Sequence, residues 1–131
     1  MIVLDTHAWI WFASKPEALS KKARKALDAA VQEKNVLISS ISVWEATLLV
    51  KHKRLKLSMD VTDWIAISEN LPFIQFIPVS NSIAVKSVNL PPPFHPDPAD
   101  RIIIATALST GASIVTKDKK IAAYSHVKTI W

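Results

Sequence analysis

The chain predicts an α/β fold of three layers, with helices on both sides of a central, mainly parallel sheet. Two observations lead there. Ile2–Leu4, Val36–Ile38 and Ala112–Thr116 are short, mostly apolar runs with the character of strands buried on both faces. Between the runs lie longer segments with apolar residues at helical spacing. Strands alternating with helices form parallel sheets joined by right-handed crossovers. The 131 residues suffice for one domain with its own core, and no repeat, low-complexity tract or linker divides them, so residues 1–131 read as a single domain.

Ile2-Val3-Leu4 ends in an acid and is the first strand. Thr6–Ala13 begins a helix at once. Glu17–Glu33 reads as a second helix, with Leu19, Ala23, Ala26, Leu27 and Ala30 as its apolar stripe. Val36-Leu37-Ile38 is a strand, and Ser39-Ser40 signals the start of the next helix, about Ser40–His52. In that helix Ile41, Trp44, Leu48 and Leu49 are spaced as an inward stripe that Glu45 completes. A carboxylate on an inward stripe is costly unless it is paired, protonated or bound to a cation. The competing reading is a capping box of Ser42 and Glu45, which starts the helix at Ser42.

Asp60–Asn70 is helical, with Val61, Trp64, Ile65 and Leu71 on one side. Phe73–Val79 is a strand that Pro78 puts at its end or on an edge. Ser80–Val88 is a short helix. Leu90–Pro98 holds five of the eight prolines and is an extended loop. In the segment HPDPADRIIIATA, Asp97 serves as N-cap, Pro98 as the first helical residue and Asp100 as the acidic third. That helix runs Ala99–Thr110 and closes at Gly111, the only glycine. Ala112–Thr116 and Val127–Trp131 are the last strands, separated by Lys117-Asp118 and a short turn or helix.

In such a sheet the ligand crevice lies beyond the carboxyl ends of the strands. Asp5 follows the first strand directly and Asp118 follows strand Ala112–Thr116 by two residues. Glu45 lies in the helix after the Val36–Ile38 strand, and Asp100 continues inward as Ile103, Ile104 and Ala107. Capping and turn roles explain each acid separately but not why all four approach one sheet edge. Gathered carboxylates need a counter-charge, and oxygen ligands suit Mg²⁺ or Mn²⁺. Zinc is disfavoured: there is no cysteine, and His7, His52, His95 and His126 show no ligand spacing.

Composition narrows the function classes. Half of the residues are hydrophobic and 21% charged, which fits a soluble globular chain. No apolar run approaches the ~20 residues of a membrane span. The start MIVLD has no basic n-region, so no signal peptide is expected, and the lack of cysteine fits a cytoplasmic address. The net charge is +5, with basic clusters at Lys21-Lys22-Arg24-Lys25, Lys51-Lys53-Arg54-Lys56 and Lys117-Lys119-Lys120. Taken singly, each cluster reads as a solvated face or turn. With the four crevice acids set aside, seven of the 11 acids remain against 16 Lys plus Arg. A basic surface round an acidic cleft suits a phosphodiester-cutting enzyme.

The motifs MIVLDTHAWIW, SVWEATLL, HPDPADRIIIATAL and ASIVTKD, in that order, resemble the PIN domain, a metal-dependent nuclease fold. The LDTH start and the D-P-x-D-R before an apolar helix are similar to the branch containing VapC-like toxins of toxin–antitoxin pairs. The resemblance spans essentially the whole chain. It implies catalytic acids at Asp5, Glu45, Asp100 and Asp118, with Asp5 and Asp100 as main ligands of Mg²⁺ or Mn²⁺. Asp97 matches an acid of this branch, ranked below the others because capping accounts for it. Thr6 and Thr116 are candidates to steady the acids through hydrogen bonds. The resemblance further implies hydrolysis of RNA, a homodimer and a cognate antitoxin partner.

The competing classes are a Mg²⁺-binding doubly wound signalling module and an RNA-binding relative without nuclease activity. A receiver domain wants a phospho-accepting Asp after its middle strand, where Ser39-Ser40 stands. A phosphatase of the haloacid dehalogenase type wants an acid two residues after Asp5, where His7 stands. Trp44 and Trp64 are expected in the core. Trp9, Trp11 and Trp131 are unassigned, and base stacking is one use for such a residue.

Overall fold

The computed structural model describes residues 1–93 and 96–131. Phe94 and His95, in the middle of the proline-rich loop, lie outside the described residues. Five strands, β1 (Ile2–Leu4), β2 (Val36–Ser39), β3 (Ile74–Ile77), β4 (Ser113–Val115) and β5 (Thr129–Ile130), form one sheet in the order β3-β2-β1-β4-β5. Every pairing is parallel, with Leu4 aligned with Ile38 on one side and Val115 on the other. The chain moves outward from β1 through β2 to β3, then crosses back to β4. The β1/β4 boundary is therefore where strand order reverses, the usual place for a ligand crevice in open α/β sheets.

Strand residues alternate between two apolar layers. Ile2, Leu4, Val36, Ile38 and Val115 pack with Trp9 of α1 (Thr6–Ser14), Ala23 and Leu27 of α2 (Lys21–Gln32), Ala46 of α3 (Ser40–Lys51) and Trp64 of α4 (Val61–Glu69). Val3, Leu37 and Ile114 pack on the other side with Ile83 of α5 (Asn81–Val88), Ile103 and Ile104 of α6 (Pro98–Thr110) and Ile121 of α7 (Lys119–Ala122). The alternation is the period of two expected of a pleated strand. It makes the three layers. No helix among the described residues is long and apolar enough to cross a membrane.

Three local expectations need correction. The segment Glu17–Glu33 is not one helix: Pro16–Ala18 is a 3₁₀ turn, Leu19 is extended, and Ser20 starts α2 by accepting the Ala23 N–H. The capping box of Ser42 and Glu45 does not form, because the Ser39 hydroxyl accepts the Ile41 N–H and starts α3 three residues earlier. Trp44 is not a core residue but 58% exposed. The inward face of α3 carries buried Ser42 and Ala46 with partly buried Glu45 and Leu49, a run of small and polar residues that hydrophobic periodicity passes over.

Trp9 is the largest residue closed off completely. It packs on Trp64 at 4.5 Å and Phe76 at 5.6 Å between ring centroids, and its indole N–H donates to Ser68 Oγ at 3.0 Å. This cluster anchors α1 to the sheet, and with it the residues α1 carries to the sheet edge.

Candidate metal centre and nucleic-acid cleft

The cleft at the carboxyl edge of β1 and β4 has a volume of about 580 Å³ and is lined by Asp5, Thr6, His7, Trp11, Glu45, Asp97, Asp100, Lys117 and Asp118. Asp5 leaves β1 as the N-cap of α1, and its Oδ1 accepts the Ala8 N–H at 2.8 Å. Asp97 caps α6 through the Asp100 N–H, with Pro98 opening the helix. Asp118 caps α7 through the N–H groups of Lys120 and Ile121. For these three acids, capping and cleft position are one arrangement. The positive ends of α1 and α6 face the cleft, which favours negative charge there.

Two threonines tie these acids to the scaffold. Thr116, buried beneath the cleft at the end of β4, donates its hydroxyl to Asp5 Oδ2 and accepts the Asp118 N–H at 3.0 Å. Thr6 donates to Glu45 Oε1, and its oxygen lies 2.9 Å from the buried Ser42 hydroxyl. A hydroxyl has one hydrogen, so with that of Thr6 committed to the carboxylate, Ser42 donates in the second contact. Glu45 is thus oriented through α1 and Asp5 through β4.

The acids sit against their own solvation and against one another. Burial pushes the Asp100 carboxyl up to about 7, helped by the neighbouring charges of Asp97, Glu45, Asp118 and Asp5. Burial also raises Asp5, against the hydrogen bonds from Thr116 and Ala8. It raises Glu45 too, against the bond from Thr6, with the charge of Asp97 adding to the rise. Such elevated carboxylates would gain from a cation among them.

The donor set is hard oxygen, the chemistry Mg²⁺ and Mn²⁺ prefer. Among the described residues no three His, Asp or Glu side chains are drawn together into a ready-made cage. The acids stand round the cleft instead. Carboxylate oxygens suit an ion such as Mg²⁺, which keeps several of its waters and takes one or two carboxylates directly.

Asp5, Thr6, Glu45, Asp97, Asp100 and Asp118 all reach the cleft, and Thr116 supports it from below. The sequence reading does not single out His7, Lys117 or Ser42 for the site, and it leaves Trp11 unassigned with base stacking as one use. His7 and Trp11 carry a signal, since they follow Asp5 and stand four residues apart, an interval that puts both on one side of α1. Lys117 had been counted only within a basic cluster.

A family model described as the PIN domain matches residues 2–127. The chain belongs to the PIN domain family. Ribonuclease VapC22 of Mycobacterium tuberculosis (strain ATCC 25618 / H37Rv) is 31% identical over 132 aligned positions, spanning 99% of this chain and 98% of that protein. Among solved structures, VapBC2 from Rickettsia felis, bound to a DNA fragment from its promoter, has a chain that superposes with a TM-score of 0.71 at 18% identity. It covers 98% of this chain and 97% of its own. A toxin–antitoxin complex from Klebsiella pneumoniae has a similar chain, with a TM-score of 0.63 at 23% identity over 95% of this chain and 92% of that one. These two likenesses concern the fold.

Proposed function

We propose that this PIN domain is a Mg²⁺- or Mn²⁺-dependent ribonuclease, the toxin of a toxin–antitoxin pair. The observation that carries the reading is the meeting of Asp5, Glu45, Asp100 and Asp118, from four separate parts of the chain, in one cleft at the β1/β4 boundary. The similarity to a protein named as a ribonuclease supports the substrate class.

Asp5 and Asp100 would be the principal metal ligands, with Glu45 and Asp118 holding further ligand water or a second ion, and Asp97 peripheral to them. When bound, the divalent ion supplies Lewis-acid charge at the scissile phosphate and lowers the pKa of the attacking water. Asp5 and Asp100 line one cleft and would orient what binds there. Thr116 and Thr6 fix the rotamers of Asp5 and Glu45, so little reorganisation is needed when substrate arrives. Lys117 brings positive charge to a rim that would otherwise repel a polyanion.

The reading extends to an antitoxin that inhibits the enzyme, to a cytoplasmic setting and to a homodimer. The similar folds found in toxin–antitoxin complexes support the first. Exposed Trp44 and Val79, which wall an apolar depression with Ile41 and Ile102, offer a surface for a second copy. The deciding experiment incubates the purified chain with end-labelled RNA in Mg²⁺, Mn²⁺ or EDTA and maps the product ends. Cleavage with metal that leaves 5′-phosphates, and none in EDTA, is expected. RNA retention without cleavage under every metal condition would overturn the nuclease reading in favour of a binding module.

A further inference from the structure

We infer that Trp11 and Lys117 form a nucleotide subsite beside the acids, in which the Trp11 indole receives an unpaired base and Lys117 holds the adjoining phosphate. The inference rests on the ribonuclease reading and adds to it the part of the substrate that the carboxylates cannot recognise. Trp9 and Trp11 show why Trp11 stands apart. Trp9 is closed off from solvent and bonded to Ser68, which accounts for it within the core. Trp11 is only partly buried, and it lines the same cleft as Asp5, Glu45, Asp100 and Asp118.

Its surroundings are those of a stacking platform. The Lys117 ammonium lies 5.9 Å from the Trp11 ring centroid, within cation–π range. His7 sits on one side with ring centroids 5.6 Å apart, and Trp131 on another at 5.7 Å, both tilted rather than parallel. These neighbours hold the indole in place, so little freedom is lost when a base docks. Lys117 immediately precedes Asp118, and Trp11 stands six residues along α1 from Asp5, roughly 9 Å of helix rise. A strand whose phosphate sits among the acids therefore has its neighbouring base within reach of Trp11. Stacking on an aromatic ring is sequence-tolerant but needs a base free of its helix, so the subsite selects for unpaired nucleotides at the cut.

The test measures binding in EDTA, so that it does not depend on turnover. Fluorescence anisotropy would compare a labelled ten-nucleotide RNA with an abasic ribose–phosphate strand of equal length and charge. The wild-type chain should bind the abasic strand about tenfold more weakly. Trp11→Ala should weaken binding of the base-bearing strand by a similar factor while leaving the abasic strand unaffected. Trp11→Phe should keep most of the discrimination, and Lys117→Met should weaken both strands equally. Equal affinity of the wild-type chain for the two strands overturns the subsite, and that comparison needs no variant to fold. So does an equal loss on both strands in Trp11→Ala. Cleavage that persists while the discrimination is absent leaves the nuclease reading standing and removes only this one. Absence of both RNA binding and cleavage removes the two together.

Discussion

Asp5 and Asp100 line the same cleft, each near the N-terminus of a helix, and they are held in contrasting ways. Asp5 is nearly closed off, but its carboxylate accepts the Thr116 hydroxyl and the Ala8 N–H, which offset part of the cost of burying a charge. Asp100 is pushed up to about 7 by burial first and then by the charges of Asp97, Glu45, Asp118 and Asp5. One wall is locked by hydrogen bonds to the scaffold. The other is charged with strain that a cation would relieve. The contrast separates a carboxylate held by scaffold hydrogen bonds from one whose protonation answers to burial and neighbouring charge.

The sharpest way to break the comparison is to neutralise the locked wall. Asp5→Asn keeps an oxygen for the Ala8 N–H but removes the charge, so cleavage should fall by about a thousandfold or more, the loss of several kcal/mol of metal-centred stabilisation. Single-turnover cleavage of labelled RNA at saturating Mn²⁺ measures this, and full activity in the variant would remove Asp5 from the site.

The raised Asp100 carboxyl should show itself as a pH dependence of stability. A carboxyl with a higher pKa in the folded than in the unfolded chain binds its proton more tightly when folded. Its contribution is thus intact below about pH 4, near the unfolded value, and is lost as pH rises through about 7. The raised Asp5 and Glu45 act with the same sign. In EDTA, Asp100→Asn should therefore melt above the wild-type chain at pH 8 and converge with it near pH 4. Each kcal/mol of burial and repulsion cost relieved would appear as roughly 3–6 °C in Tm. The same variant should lose cleavage. A Tm difference that does not change with pH would mean Asp100 is not under the strain assigned to it.

These two walls also mark how far the residues alone could be read. The strands were legible because central parallel strands are buried on both faces and leave short apolar runs such as Ile2–Leu4. Asp5, Asp100 and Asp118 were legible because sheet topology requires that residues just past strand ends and at helix starts meet at one edge. The inner face of α3 was not. Ser42 and Ala46 are buried there because the helix lies close to α1 and turns Glu45 toward Thr6, while Trp44, the most apolar-looking candidate, points to solvent. Hydrophobic periodicity finds faces packed by large side chains and misses faces packed by small ones. The break at Leu19–Ser20 was hidden for a related reason: Leu19 is buried along with the α2 stripe although it lies outside the helix.

A smaller effect tests what locks Asp5. Thr116→Val removes the donor to Asp5 and the acceptor for the Asp118 N–H while conserving shape. Outer partners of metal ligands are commonly worth 10–100-fold in activity or metal affinity, so a fall of about thirtyfold in cleavage is expected. The weaker Mn²⁺ dependence should be visible as a higher midpoint in a metal titration. Thr116→Ser should restore most of both. If the valine variant titrates like wild type, the threonine is only a filler of β4.

Asp97→Asn should have the least effect, and it decides between two roles of one residue. Asparagine caps a helix about as well as aspartate, so the Asp100 N–H keeps its acceptor and stability should move by no more than about 0.5 kcal/mol. Removing the charge also takes away the strongest electrostatic neighbour of Asp100, so the pH at which the melting temperature responds should move down, toward ordinary carboxylates. Cleavage within a few-fold of wild type would then assign Asp97 to capping and to tuning Asp100. A loss approaching that of Asp5→Asn, with the fold intact, would instead make Asp97 a ligand in its own right. The capping bond does not forbid that outcome, because it engages Asp97 Oδ1 in a residue that itself lines the cleft.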